Sequence, residues 1–333
     1  MRAYTGWAFG LTLCGLSPLA AAQPDPSGIE FVTVGAPGNA PWTGGGFNNN
    51  RGHVDYEYRI GKYEVTTSQW ADFMNAAFDR PSDDRIPHVF APFIWGAVGT
   101  TPNNPGGSRW TVPTGNEMLP TGGIDWRTAA IYTNWLHNGQ SSDRSAFLSG
   151  AYDVSTFGIT GSFFTDQLTR SPGARYWIPS LDEWMKASHF APDRFGPGQG
   201  GWWTYSNSSD ARPIYGPPGV LVNGELSTAN AGWDELVYPG LSPYRVPLGA
   251  YSGVNSPWGL VDVAGATSEW TEGVFQLSDE ALPRARVFEG TAWASFTAGG
   301  AADLVRNGGG GEFPNFPGFD VGFRVATAVP APG

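Results

Sequence analysis

The sequence predicts an α+β domain in which loops outweigh regular elements. Helix and strand signals do not alternate as βαβ units, so a doubly wound parallel sheet is not indicated. Three segments combine a capping residue with an apolar stripe at 3–4 spacing. The chain also carries 47 Gly and 28 Pro among 15 Trp, 12 Tyr and 20 Phe, a composition of long ordered loops pinned by rings.

The first helix follows Tyr63-Glu64-Val65. Thr66 and Gln69 have capping-box spacing, and Trp70, Phe73, Met74 and Ala77 form the buried stripe. The second starts at Asp125 as N-cap, runs through Trp126, Ala129, Ala130, Tyr132, Thr133 and Leu136, and ends at Gly139. In the third, Ser180 and Glu183 form another capping box, with Leu181, Trp184 and Ala187 facing inward.

Strand signals are short. They fall at residues 29–34, 56–60, 174–178, 286–289 and 322–326. Loops fill residues 79–118, 191–228 and 307–318, and their aromatic content favours order. No internal repeat and no linker interrupts the chain. One domain is expected over residues 27–326, followed by a short Pro-rich tail at 327–333.

The N-terminus reads as a secretory leader. Arg2 is followed by the apolar run from Trp7 to Leu16, then Pro18 and the small residues Ala20-Ala21-Ala22. Cleavage after Ala22 leaves a mature chain without cysteine, because the single cysteine is Cys14. Export to the periplasm, the extracellular space or the cell surface is expected, with neither disulfide nor thiolate chemistry. No later segment is apolar for long enough to cross a membrane as a helix. The net charge of −11, without basic clusters, argues against a nucleic-acid partner.

Six segments occur in an order that resembles the formylglycine-generating, or sulfatase-modifying factor, family. They are Lys62-Tyr63-Glu64-Val65-Thr66, Ile124-Asp125-Trp126-Arg127-Thr128-Ala129 and Ile178-Pro179-Ser180-Leu181-Asp182-Glu183-Trp184. Trp258-Gly259-Leu260-Val261-Asp262-Val263-Ala264-Gly265, Arg286-Val287-Phe288-Glu289-Gly290 and Gly322-Phe323-Arg324 complete the series. The stretch from Tyr132 to Gln140 and Gly150-Ala151-Tyr152 look like a bacterial extracellular branch. Many members of that branch carry a C-terminal sorting tail. The ending Val329-Pro330-Ala331-Pro332-Gly333 looks like the start of one, without the apolar span and basic cluster that should follow.

The resemblance implies a C-type-lectin-like core. It also implies a copper ion held by two cysteines in the catalytic members, at positions whose register here falls near Ser295 and Gly300. Neither residue supplies the soft thiolate that Cu(I) requires. A structural calcium is implied at Asp262, the carbonyls of Gly265 and Thr267, and Glu269, and a second at Asn230 and the carbonyl of Ala231, with Asp234 as a further candidate.

Other chemistry finds little support in the residues. His53, His88, His137 and His189 lack metal-triad spacing, and Ser295 has no evident base. Asp182 and Glu183 suit the first turn of a helix. The sequence therefore points to an exported, non-catalytic, calcium-stabilised binding or envelope protein. Trp202, Trp203, Tyr205, Ser295 and Arg306 are its groove candidates, and a glycan or a peptide its ligand. The alternative is an oxidoreductase with cysteine-independent chemistry.

Overall fold

The computed structural model describes residues 25–78, 80–81, 83–99, 109–293 and 303–330. The expected leader at 1–22, Ser295 and Gly300, and the end of the tail at 331–333 lie outside the described residues.

The three expected helices form as α1 (Thr67–Ala77), α2 (Trp126–His137) and, after the short α3 (Ser145–Leu148), α4 (Leu181–His189). Both capping boxes are made: Thr66 and Ser180 accept from the backbone of Gln69 and Glu183, whose side chains reach back to the caps. Asp125 caps α2 by accepting from Thr128 N at 2.7 Å.

Two four-stranded sheets organise the chain. The first contains β1 (Phe31–Val34), β2 (Tyr58–Gly61), β3 (Tyr176–Trp177) and β8 (Ala326–Ala328), in the order β1-β2-β8-β3 and wholly antiparallel. The second contains β4 (Ser268–Phe275), β5 (Ala285–Glu289), β6 (Gly310–Glu312) and β7 (Val321–Gly322), in the order β6-β5-β4-β7. Its β4–β7 pair is parallel.

The structure corrects the strand expected at 322–326. Val321 and Gly322 belong to the second sheet, Ala326 to Ala328 to the first, and Phe323, Arg324 and Val325 cross between them. The domain thus extends past 326, since residues 327 and 328 pair in β8 rather than in a tail.

The core has two main parts. Under α1 and α2, Trp70 stacks on Tyr132 at 5.3 Å and meets Phe323 at 5.9 Å edge-on. Beneath α4, Trp184, Met185, Leu260 and Val287 pack with Tyr58 and Ile60 of β2. Among the described residues no helix is long and apolar enough to cross a membrane.

Candidate functional site

Where the two sheets meet, the chain buries charge. Arg324 is fully buried, and its Nε and Nη2 donate to the two oxygens of Glu269, each at 2.5 Å. Nη1 donates to the carbonyls of Gly61 and Lys62, and the Trp184 indole donates to Glu269 Oε2 at 2.8 Å. Such bidentate pairing, with every remaining donor satisfied, is what allows a charge pair to sit in a core. Glu64 lies beside it and accepts from Thr267 N and, at 2.6 Å, from Thr267 Oγ1. Burial, then the charge of Glu269, push the Glu64 carboxyl well above the usual range, and Arg324 only partly opposes them.

The ligand set implied for a first calcium is therefore engaged internally. Glu269 sits within β4 rather than in a loop, and both its oxygens face a guanidinium, which competes with any divalent cation. The Thr267 hydroxyl is bonded to Glu64. Asp262 takes a left-handed φ of 55°, and its Oδ2 accepts from Gly249 N at 2.6 Å. Burial raises the Asp262 carboxyl to about 6, against the opposing effects of that hydrogen bond and of Arg324. Glu269 does not fit the cation role; Asp262 retains a free oxygen.

The second implied set lies against the first. Asn230 pairs with Gly265 in a parallel bridge, and Ala266 N donates to Asn230 O at 3.0 Å. A Cβ on Gly265 would stand 2.6 Å from Asn230 O, so only glycine permits this approach. The Asn230 amide donates to Pro243 O at 2.9 Å, and its Oδ1 accepts from the Trp233 indole at 3.0 Å. Asp234 accepts from the backbone of Leu236 and Val237 and shapes that turn. Ala231 is buried beside them.

The aromatic candidates separate into core and surface. Trp202 is buried, meets Phe190 edge-on at 5.3 Å and donates to Ala40 O at 3.1 Å. Trp202 is therefore corrected from groove wall to core, because its ring is enclosed on the α4 side. Trp203 is half-buried under the Arg194 guanidinium at 4.2 Å. Tyr205 is also half-buried and bridges to Leu304, while Val305 N donates to Thr204 O at 3.0 Å. The loops holding Tyr205 and Arg306 are thus brought together. A third joins them: Asn48 N donates to Arg306 O and the Asn48 amide to Asn307 O, leaving Phe47 53% exposed beside exposed Arg306.

The segment that leads toward residues 295 and 300 is tightly built. Arg286 lies 3.6 Å over the Trp126 ring and donates to the carbonyls of Gln167, Leu168 and Glu272. Glu289 is buried, accepts from Gly309 N at 3.2 Å, and is pushed by burial to about 8. Asp303 accepts from the backbone and hydroxyl of Thr291 and from the Tyr215 hydroxyl at 2.5 Å.

The histidines stand apart. His53 bonds Asn39 O and Asp55, His137 accepts from Arg175 N, and His189 is in the core, its ring pushed down to about 3 by burial. His88 is half-buried at a left-handed φ of 61°. Among the described residues no group of three or more His, Cys, Asp or Glu is placed to hold a metal.

Glu64 and Arg324 belong to the sequence motifs, but no role follows for them from the sequence. Their signal was a charge inside otherwise apolar segments, Tyr63-Glu64-Val65 and Phe323-Arg324-Val325, which a core accepts only when paired.

The loop-rich α+β core, with its two small sheets and flanking helices, defines a C-type-lectin-like domain of the formylglycine-generating type. The chain belongs to the sulfatase-modifying factor family: the model of the sulfatase-modifying factor enzyme 1-like domain matches residues 31–329. The structure is similar to the crystal structure of CarF, with a TM-score of 0.50 and 16% identity over 91% of this chain and 99% of that one. PvdO from Pseudomonas aeruginosa gives 0.48 and 14%, over 95% of this chain and 100% of that one. Treponema denticola variable protein 1 gives 0.47 and 16%, over 90% and 95%. At 16% identity the likeness to CarF is one of fold alone. No curated protein sequence matches the chain.

Proposed function

We propose that this protein is an exported, non-catalytic member of its family that binds a glycan or a peptide through its loops. One observation carries the reading: the only cysteine is Cys14, within the leader-like segment, and the register that the resemblance implies for the family's copper-binding pair falls near Ser295 and Gly300. Without thiolates the chain lacks the ligands for Cu(I) and the sulfur chemistry that goes with it.

The meeting of the Phe47, Tyr205 and Arg306 loops supports a binding role. It places exposed Phe47 and exposed Arg306 on loops joined through Asn48, with half-buried Trp203 on the loop that carries Tyr205. A flat apolar face and a guanidinium donor on adjoining loops suit sugar rings and peptide backbones alike. Export rests on the leader grammar of residues 1–22.

The test is a glycan and peptide array probed with the wild-type chain and with Phe47→Ala, Trp203→Ala and Arg306→Ala. Retained folding with loss of binding in at least two variants is expected. Conversion of a cysteine-containing peptide to its aldehyde by the purified protein would overturn the reading. So would a ligand whose binding ignores all three substitutions.

A further inference from the structure

Two stretches rich in Phe and Pro, residues 86–98 and 313–319, take no part in the binding reading. They carry Phe90, Phe93, Phe316 and Phe319, each between 52% and 61% exposed. Both stretches are fastened to one segment, the approach to α2 and its first turn. Phe93 N donates to Gly123 O at 3.3 Å, and Phe90 N to Thr128 Oγ1 at 3.3 Å. From the other stretch, Pro314 O accepts from Arg127 N at 3.0 Å. Just beyond it, Val321 O accepts from Gly123 N at 3.1 Å.

Gly123 therefore lies between the two. Its φ is +74°, and a Cβ there would stand 2.5 Å from Phe93 Cβ, so the close approach requires glycine. A buried proline, Pro92 or Pro314, anchors each stretch. Proline restricts the unfolded chain and the hydrogen bonds hold the backbone, so the rings are presented with little left to order on association. Phe319 meets the Tyr244 ring edge-on at 6.4 Å, and Tyr244 meets buried Trp293 at 5.4 Å.

A buried aromatic side chain removes about 150–250 Å² from water, so four rings a little over half exposed present on the order of 400 Å². A standard interface takes about 800 Å² from each partner. Pro87, Ala91, Ile94 and Pro317, exposed or half-buried on the same stretches, add to the rings. Apolar surface of this extent marks contact with a protein or a membrane.

Charge chooses among the candidate occupants. Neither stretch holds an Asp, Glu, Lys or Arg. Anionic lipid attracts basic segments, and these have none, in a chain of net charge −11. A sugar requires several placed polar side chains, and Asn315 is the one amide in the two stretches. A second copy requires only a patch that is itself apolar and uncharged, where two acidic chains meet without apposing like charges.

We propose that this face joins two copies of the chain in an isologous dimer, packing Phe90, Phe93, Phe316 and Phe319 of each against the same patch of the other. The dimer does not depend on ligand binding by the loops of Phe47 and Arg306.

Sedimentation equilibrium and light scattering of the purified full chain, from micromolar to submillimolar concentration, provide the test. A reversible monomer–dimer equilibrium is expected, tightened by added salt, which screens the charge of each copy. The double variant Phe93→Ser, Phe316→Ser should weaken the dimer at least tenfold, and Phe93→Asp should do so alone. Circular dichroism should stay unchanged, because the rings removed are exposed. Leu236→Ser, at a side chain 91% exposed on another loop, should leave the dimer constant as it is.

A chain that stays monomeric throughout would overturn the proposal. So would a dimer that ignores Phe93→Asp and the double variant, or one that Leu236→Ser weakens equally. A monomer that co-sediments with phosphatidylcholine vesicles, and loses them in the double variant, would overturn it in favour of a membrane.

Discussion

Arg324 and Glu269 face each other with two hydrogen bonds of 2.5 Å, at the point where the chain passes from one sheet to the other. The pair joins β4 to the segment between β7 and β8, and Arg324 also reaches the carbonyls of Gly61, which ends β2, and of Lys62 just after it. It stitches the two sheets together. Removing one partner leaves the other charged in the core, so Arg324→Met or Glu269→Gln should lower stability by about 3–5 kcal/mol. Denaturant melts of the single and double variants test this. The double variant should lose clearly less than the sum of the two.

Trp202 and Trp203 are neighbours with different environments. Trp202→Ala empties a core position and should cost about 3–5 kcal/mol. Trp203→Ala removes a half-exposed ring and its Arg194 contact, worth about 0.5–1 kcal/mol. Equal losses in chemical denaturation would contradict the assignment of one to the core and the other to the surface.

The buried carboxyls predict a pH dependence of definite sign. Burial raises Glu289 to about 8 and Glu272 to about 7, and lifts Glu64 as well. The folded chain therefore holds protons that the unfolded chain releases above its ordinary carboxylate range. The stability linked to these groups is complete below that range and is lost as pH rises through about 7–8. Melting temperature should fall across this interval, and Glu289→Gln, which stays neutral, should flatten the slope. An unaltered slope would show that Glu289 titrates normally.

Gly265 is held by geometry rather than by composition. Its φ is +98° and a Cβ would meet Asn230 O at 2.6 Å. Gly265→Ala should destabilise by about 1–3 kcal/mol and separate the two loops. Hydrogen exchange at Ala266, whose N–H is bonded to Asn230 O, should rise with it. Protection that persists would contradict the close approach.

Much of the local structure was legible in advance. The Thr66–Gln69 and Ser180–Glu183 boxes join residues three apart, so the helix starts could be read from spacing alone. The longest strand, β4, was not read as one. Its segment carries Glu269 and Glu272, which look like solvent-exposed charges until their partners are known. Those partners are Arg324 and Arg170, 55 and 102 residues away in the chain. Similarly, the strand expected at 322–326 is divided because two sheets compete for its ends.

By itself the sequence determined the family, the capped helices and the lack of cysteine beyond Cys14, because each depends on residue identity or on spacing over a few positions. Only the tertiary structure decided that Glu269 belongs to Arg324 and that Trp202 is core. Burial and pairing join residues far apart in the chain. Whether a carboxylate meets a guanidinium, a proton or an ion is settled by what packing brings to its side.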